Sequence, residues 1–383
     1  MTRKIFHVST SLSGGAGIAA LNLHSTLLSE GFESVVLTLD SIDGNNIPGL
    51  VNINRNFFET LVGKFFTLLQ QRFNNYTFFS TLSGSAKSLR EYLVSTSGDS
   101  KILHVHNWYN FLDLKWLKSL ENCGFEIVFT LHDQRLMTGG CHYSGMCRKF
   151  ETECVECPLA PKYMSQLVLH RQESISRALG ELRNIRLITP SNWLKNEALH
   201  SRVLHSVKLS VLPNLFPQLQ FMNNGDIDYT QPLDSLTVGI ASMDPFASIK
   251  GGEFVRSLMT DLDGFDLIFL RDYPGNAEEF WKRTEVLLVP SLQDNSPNVI
   301  HEAKQRGIPV IGSNVGGIPE LLSKKYDLLI HEKITASEFK ELLLSYRLRI
   351  SNIPNLSKLI SSEYGTFSNN SKREYLDFLK SSN

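Results

Sequence analysis

VPSLQDNSPNVIHEAKQRGIPVIGSNVGGIPEL, residues Val289–Leu321, reads as two strand–loop–helix units in succession. Glu285–Pro290 (EVLLVP) is an apolar run of strand length, Ser291–Pro297 is a polar loop closed by proline, and Asn298–Arg306 is a helix that Gly307 stops. Pro309–Gly312 repeats the apolar run. The turn Ser313-Asn314-Val315-Gly316-Gly317 follows, with two glycines that let a bulky ligand approach the backbone, before Ile318-Pro319-Glu320 opens another helix. Such units predict an α/β fold with a parallel sheet, in which ligands sit outside the carboxyl ends of the strands. Both loops fall at that edge.

Asp294 and Glu302 are eight residues apart, one on the loop and one just over a helical turn inside, and paired acceptors of this kind suit sugar and ribose hydroxyls. The amides from Asn295 and Ser296 to Asn298, and those of Gly316 and Gly317, can cradle a phosphate at a helix N-terminus. The stretch resembles the nucleotide-sugar signature of retaining GT-B glycosyltransferases of family 4 (glycosyl transferases group 1). There, two acidic residues eight apart precede a strand of the type Gly307-Ile308-Pro309-Val310 and a turn of the type Gly316-Gly317-Ile318-Pro319-Glu320. Here Asp294 stands where that family most often has the longer glutamate. Any one of these residues alone is an ordinary turn or solvated helix residue; their joint spacing over about thirty positions is what points to function.

The resemblance implies two Rossmann-like doubly wound domains facing across a cleft. It also implies transfer of a hexosyl or N-acetylhexosaminyl group from a nucleoside diphosphate sugar to an acceptor hydroxyl, with retained configuration and no catalytic cofactor. At 383 residues the chain exceeds what one core supports, and two domains of about 150 to 200 residues are expected. The expected division is an acceptor-side domain 1–215 carrying a cysteine-rich loop 139–160, a linker 216–234 marked by Pro217, Gly225 and Pro232, and a nucleotide-sugar domain 235–365. A terminal helix 366–383, read from FSNNSKREYLDFL, crosses back to the first domain in that family.

A net charge of −1 argues against a nucleic-acid partner, so any anionic ligand must be held locally. The opening MTRKIFHVST has only a strand-length apolar run, and no later run reaches membrane-spanning length, which predicts a cytoplasmic protein. Four of the five cysteines, Cys141, Cys147, Cys154 and Cys157, form C-x5-C-x6-C-x2-C. Thiolates at such spacing can close a structural zinc site; free thiols or two disulfides fit the same pattern.

Lys4–Ser9 is a strand, and the turn after it holds Gly14, Gly15 and Gly17. By resemblance, Gly14 and Gly15 make room for the donor pyrophosphate and the acceptor. A rival is open: Gly15-x-Gly17-x-x-Ala20, with Asp40 closing VVLTLD, matches a dinucleotide fingerprint and would suit an NAD-dependent oxidoreductase. Further strands are Ile102–His106 and Glu126–Leu131. The second delivers His132 and Asp133, which resemble the family's pair at the donor sugar; His104 and His106 are assigned structural or acceptor-side roles. Asn54–Phe79 spaces Phe57, Phe58, Leu61, Val62, Phe65, Phe66, Leu68, Leu69, Phe73 and Tyr76 along one broad helical face. It is either a core-packing helix pair or a surface that dips into a bilayer, and Gly63 together with the usual fate of aromatic stripes favours the core.

Leu187–Pro190 is expected to be the last strand of the first domain, Leu236–Ala241 the first of the second, and Leu267–Leu270 another, with Arg271 a candidate cation at its end. Lys250-Gly251, in the loop SMDPFASIKGG, resembles the lysine-glycine that neutralises the donor diphosphate; the arginine that often accompanies it is absent, with Ser242 or Met243 near its place. The roles implied are ribose for Glu302, donor sugar for Asp294, sugar near the reacting carbon for His132, and diphosphate for Lys250. The expected partners are the donor and a saccharide, carried on a lipid, of a growing surface polysaccharide, with peripheral membrane contact. A zinc-stapled binding protein without turnover is the non-enzyme rival.

Overall fold

The computed structural model describes residues 3–42, 47–72, 87–96, 100–217, 236–260 and 265–381. Most of the expected linker, from 218 on, and Phe73 and Tyr76 of the aromatic stripe lie outside them. Contacts divide the chain into two compact units between Leu215 and Phe216, with Ser381 joining the first.

The first unit is a seven-stranded sheet of β1 (Lys4–Ser9), β2 (Glu33–Thr38), β3 (Leu50–Asn52), β4 (Lys101–Asn107), β5 (Phe125–Thr130), β6 (Ile185–Thr189) and β7 (Leu209–Val211). Its order is β3-β2-β1-β4-β5-β6-β7, parallel throughout. The intervening helices are α1 (Gly14–Ser29), α2 (Phe57–Arg72), α3 (Lys87–Ser95), α4 (Leu117–Asn122), α5 (Ser165–Gly180) and α6 (Asn192–His200). Every residue of β4 is buried, as a strand covered on both faces must be. Phe6, Leu103, Phe129 and Leu187 from four neighbouring strands meet Leu117 and Val168 from the helices in one core. Leu187–Pro190 proves not to be the last strand, because β7 pairs beyond it at the edge.

The second unit has β8 (Thr237–Ile240), α7 (Gly252–Thr260), β9 (Asp266–Phe269), α8 (Ala277–Arg283), β10 (Val286–Val289), α9 (Asn298–Gln305), β11 (Val310–Ser313), α10 (Ile318–Leu321), β12 (Leu328–Ile330), α11 (Ala336–Ser351) and α12 (Leu356–Lys380). Its five strands run parallel in the order β12-β11-β10-β8-β9. Val238, Val286 and Ile311 pack with Phe339 on one side; Leu287 and Val310 pack with Trp281 and Ile318 on the other. The terminal helix begins at Leu356, well before the expected start near 366, because Leu356 and Ile360 are buried in the core.

In each sheet the chain reverses its direction of travel at one point, between β1 and β4 in the first and between β8 and β10 in the second. A doubly wound sheet holds its ligands at such a point, outside the carboxyl ends of the strands.

α2 departs from the core-packing expectation. Phe57 is 85% and Phe58 65% exposed, and Leu61 and Phe65 are exposed as well, whereas Glu59 on the same helix is buried. The Glu59 carboxylate accepts from the Asn56 amide, while Asn56 Oδ1 accepts from the Glu59 amide, a reciprocal cap at the start of α2. It also accepts from the Lys87 and Ser88 amides and the Ser88 hydroxyl, capping α3. Serving two helix starts at once fixes this acidic side inward and leaves the apolar side out.

Candidate functional site

In the second unit, the loops after β8 and β10 touch at the reversal point, where the Leu292 amide donates to the Ile249 carbonyl at 2.9 Å. Lys250 ends the 3-10 turn Ser248–Lys250, and Gly251 follows at φ +78, where a side chain would also collide with the Pro290 carbonyl. The contact sets Lys250 Nζ 2.6 Å from Asp294 Oδ2, with Asp294 buried and Lys250 half-exposed. Two residues expected to hold different parts of a donor therefore hold each other. A glutamate at 294 would carry its charge one methylene farther out; the aspartate is of a length to close this pair.

Gly316 and Gly317 also have a partner that the sequence concealed. Gly316 lies at φ +60, where any side chain would strike the Asp294 carbonyl, and the Gly317 amide donates to that carbonyl at 3.0 Å. The glycine turn thus seats the loop after β10, and its Gly317 amide is not left over for a phosphate. Asn295 and Ser296 are buried, with Ser296 Oγ 3.4 Å from His301 Nε2. The N-cap position of α9 is Pro297, whose side chain has no group to cap it.

Glu302 projects from α9 beside this loop. Its side chain makes no hydrogen bond among the described residues; burial raises its pKa, Arg306 opposes this and Glu278 adds to it. Arg306 is itself committed to Glu278, at 2.6 Å. Next to Glu302, His301 stacks on Phe216 and its Nδ1 lies 3.1 Å from the Tyr364 hydroxyl; burial lowers His301 to about 3. The Tyr364 hydroxyl is pushed up by burial and then by the charge of Glu302, which places it at the same carboxylate. Arg271, the other candidate cation, lies over the Phe246 ring, 4.6 Å from its centroid.

In the first unit, Gly14 opens α1 at φ +76 with open space around it. Gly17 is needed for packing, since a side chain there would meet the Ser11 and Leu12 backbone. Asp40, just after β2, turns onto the glycine-bearing turn after β1: Oδ2 accepts from the Leu12 amide at 2.7 Å and the Ser11 hydroxyl at 2.8 Å.

At the reversal point between β1 and β4 lies a group that the sequence did not announce as one. His7 of β1 is in register with His104 of β4, and His106 follows on the same face by the two-residue alternation of a strand. Their side chains are the one set of three among the described residues whose ligand atoms lie within 4.8 Å of one another. His7 Nδ1 is 3.1 Å from His106 Nε2, and His106 Nδ1 is 3.1 Å from Nε2 of His132, just after β5. His104 Nε2 lies 2.8 Å from the Thr130 hydroxyl. Burial, then the neighbouring imidazoles His104 and His24, holds His7 well below its ordinary value; burial likewise lowers His104 to about 3. His106 is depressed by burial and by the other rings, and His132 falls to about 4 through burial, against the pull of Asp133.

Asp133 does not pair with His132. It accepts from the Arg135 amide at 2.8 Å, and its Oδ2 lies 3.1 Å from both Arg135 Nη1 and His142 Nε2. Burial opposes its ionisation, but Arg135 and His142 outweigh that and hold the carboxyl well below its usual range. Arg135 in turn covers the Tyr109 ring at 4.0 Å. His106, Asn107, His132, Asp133 and Arg135 share one small pocket at these strand ends.

Cys141, Cys147, Cys154 and Cys157 line a single small space with Phe150 and Val168, and all are free thiols. The Cys141 thiol is pushed up by its hydrogen bond to Cys157 and by burial, and burial raises Cys154 to about 11. The four sulfurs do not form a set with three within 4.8 Å of one another, so this arrangement lends the zinc expectation no support. The loop has other fastenings. Arg148 bonds Glu197 at 2.7 Å, Gln134 bonds Glu197 at 3.0 Å, and Gln172 accepts from the Cys154 amide at 2.9 Å.

Residues 250–346, which contain Lys250, Asp294, Glu302 and Gly316, match the family described as Glycosyl transferases group 1. Comparison with curated proteins gives no match. Among solved structures, the chain is similar to a sucrose-phosphate synthase from Thermosynechococcus elongatus, with TM-score 0.61 and 14% identity over 99% of this chain and 100% of that one. It is similar to Anabaena HepE in complex with UDP and glucose, at TM-score 0.58 and 13% identity over 98% and 99% of the two chains. WaaG, a glycosyltransferase involved in lipopolysaccharide biosynthesis, gives TM-score 0.57 and 13% identity over 99% and 100%. The architecture, two parallel-sheet α/β domains, is that of GT-B glycosyltransferase structures.

Proposed function

We propose that this chain is a retaining glycosyltransferase that moves a sugar from a nucleoside diphosphate sugar to a saccharide acceptor carried on a lipid, in surface polysaccharide assembly. Glu302 carries the proposal. It is a carboxylate drawn partly out of water, with no hydrogen bond among the described residues, at the strand edge where Lys250 also lies. Ribose hydroxyls would restore the hydrogen bonds that burial has cost it. Anabaena HepE, of similar fold, is solved with UDP and glucose, which supports a donor of this class.

Chemically, departure of a nucleoside diphosphate needs positive charge at the leaving oxygens. Lys250 supplies an ammonium once it exchanges Asp294 for phosphate, and the N-terminus of α9 adds its dipole. His132 is assigned a sugar hydroxyl. Asp294 keeps Lys250 in place until the donor arrives. An oxidoreductase built on Gly15, Gly17 and Asp40 is disfavoured by Asp40, whose carboxylate is spent on Ser11 and Leu12 of the turn after β1.

The membrane part of the proposal rests on α2, which presents Phe57, Phe58, Leu61 and Phe65 to solvent beside Lys64. A contiguous apolar face of this kind suits the boundary of a bilayer. No helix among the described residues is long and apolar enough to cross one.

Thermal shift against UDP-, GDP- and ADP-sugars and NAD, followed by transfer of labelled sugar, tests the proposal. Glu302→Gln and Lys250→Ala should each lower transfer more than tenfold, about 1.4 kcal/mol or more, while leaving the fold intact. Stabilisation by NAD alone, or binding of a nucleotide sugar with neither hydrolysis nor transfer, would overturn it.

A further inference from the structure

His132 is held by something other than its neighbour in sequence. Asp133 is turned to Arg135 and His142, and among the described residues the only hydrogen bond of the His132 ring is the one between its Nε2 and His106 Nδ1, at 3.1 Å. His106 Nε2 continues to His7 Nδ1 at 3.1 Å. Three rings from β1, β4 and the end of β5 thus form one chain. The groups facing it are His104 of the same strand, His24 of α1, Asp133 beside His132, and Arg186 of β6, which acts on His104. Burial keeps all three rings neutral.

A neutral imidazole has one N–H and one lone pair, so His106 donates along one link and accepts along the other. Donation from its Nε2 to His7 would leave His7 with an N–H at Nε2, an atom that is buried and has no partner among the described residues. Donation from Nδ1 to His132 lets His7 give its own N–H to His106 and bury only a lone pair. A buried N–H without an acceptor is the costlier of the two. We infer that His7 and His106 are positioning residues, a buried relay that holds His132 as the Nδ1–H tautomer, so that it offers the substrate a hydrogen-bond donor and not a base. The inference about substrate rests on the sugar contact proposed for His132; the tautomer itself does not.

The test uses the full-length protein with 15N-labelled histidine. Two-bond 1H–15N spectra at neutral pH should show His132 protonated at Nδ1 and bare at Nε2, with no titration between about pH 5 and 8. In His106→Phe, both tautomers of His132 should be populated and kcat should fall about tenfold, with KM for the nucleotide sugar little changed. His106→Asn, which retains an N–H donor, should recover part of that loss. Wild-type His132 protonated at Nε2 overturns the relay, and this arm stands even if the variants fail to fold. A stoichiometric transition metal on His7, His104 and His106 in the purified protein also overturns it, because it would take the lone pairs that the links require. Full transfer by His132→Ala would instead remove the sugar contact, and with it the purpose of the relay, whatever tautomer the spectra show.

Discussion

Gly316 shows how little a single residue says about itself. In the sequence it is one half of a glycine pair that could admit a ligand; in the structure it is the point where the turn after β11 rests on the Asp294 carbonyl. Gly316→Ala should cost about 1–3 kcal/mol, since both its φ and the available space oppose a methyl group. Urea unfolding, combined with the apparent affinity for the nucleotide sugar, measures the effect; a variant as stable and tight-binding as wild type would return Gly316 to the role of a simple turn. The spacing of Asp294, Glu302 and the glycines was legible because it lies in one stretch. What Asp40, Asp133 and Asp294 each bind was not, because every partner depends on how a loop bends. His7 is the extreme case: ninety-nine residues separate it from His106, and only the strand order joins them.

At the scale of elements, α2 is turned the opposite way from what its composition suggests. Apolar spacing announces a helical face and cannot say whether protein or solvent lies against it. Glu59 settles the matter here by capping α2 and α3 together. Replacing Phe57, Phe58 and Leu61 by serine should leave the melting temperature within about 2 °C of wild type, as expected for exposed sites, and should reduce co-sedimentation with anionic liposomes. Loss of soluble protein in this variant, with wild type ignoring liposomes, would move the face back into a core. The short edge strands β3 and β7 escaped the sequence for a different reason: three residues carry too little pattern to stand out from a loop.

For the whole molecule, continuous apolar runs alternating with helices revealed the doubly wound architecture, since a strand buried on both faces has no polar side to alternate. The same burial sets the acid response. His7, His104, His106 and His132 have depressed pKa values when folded and would titrate near 6.5 when unfolded. Below about 6.5 the unfolded chain binds more protons than the folded one. Stability therefore falls as pH drops from there toward about 4, by up to about 1.4 kcal/mol per pH unit for each independent group. Chemical denaturation between pH 7 and 4.5 should show this slope, and a His7→Phe, His104→Phe double variant that still folds should flatten it; equal slopes would mean that other groups govern the acid limit. The ion pair of Lys250 and Asp294 bears on a different property, the speed of capture. A cation already neutralised exerts little pull across a Debye length, so a donor dianion should arrive by unguided diffusion and then displace a carboxylate. Its association rate should hardly vary between about 0.05 and 0.5 M salt, and Asp294→Asn, by uncovering the charge, should make it both faster and salt-dependent.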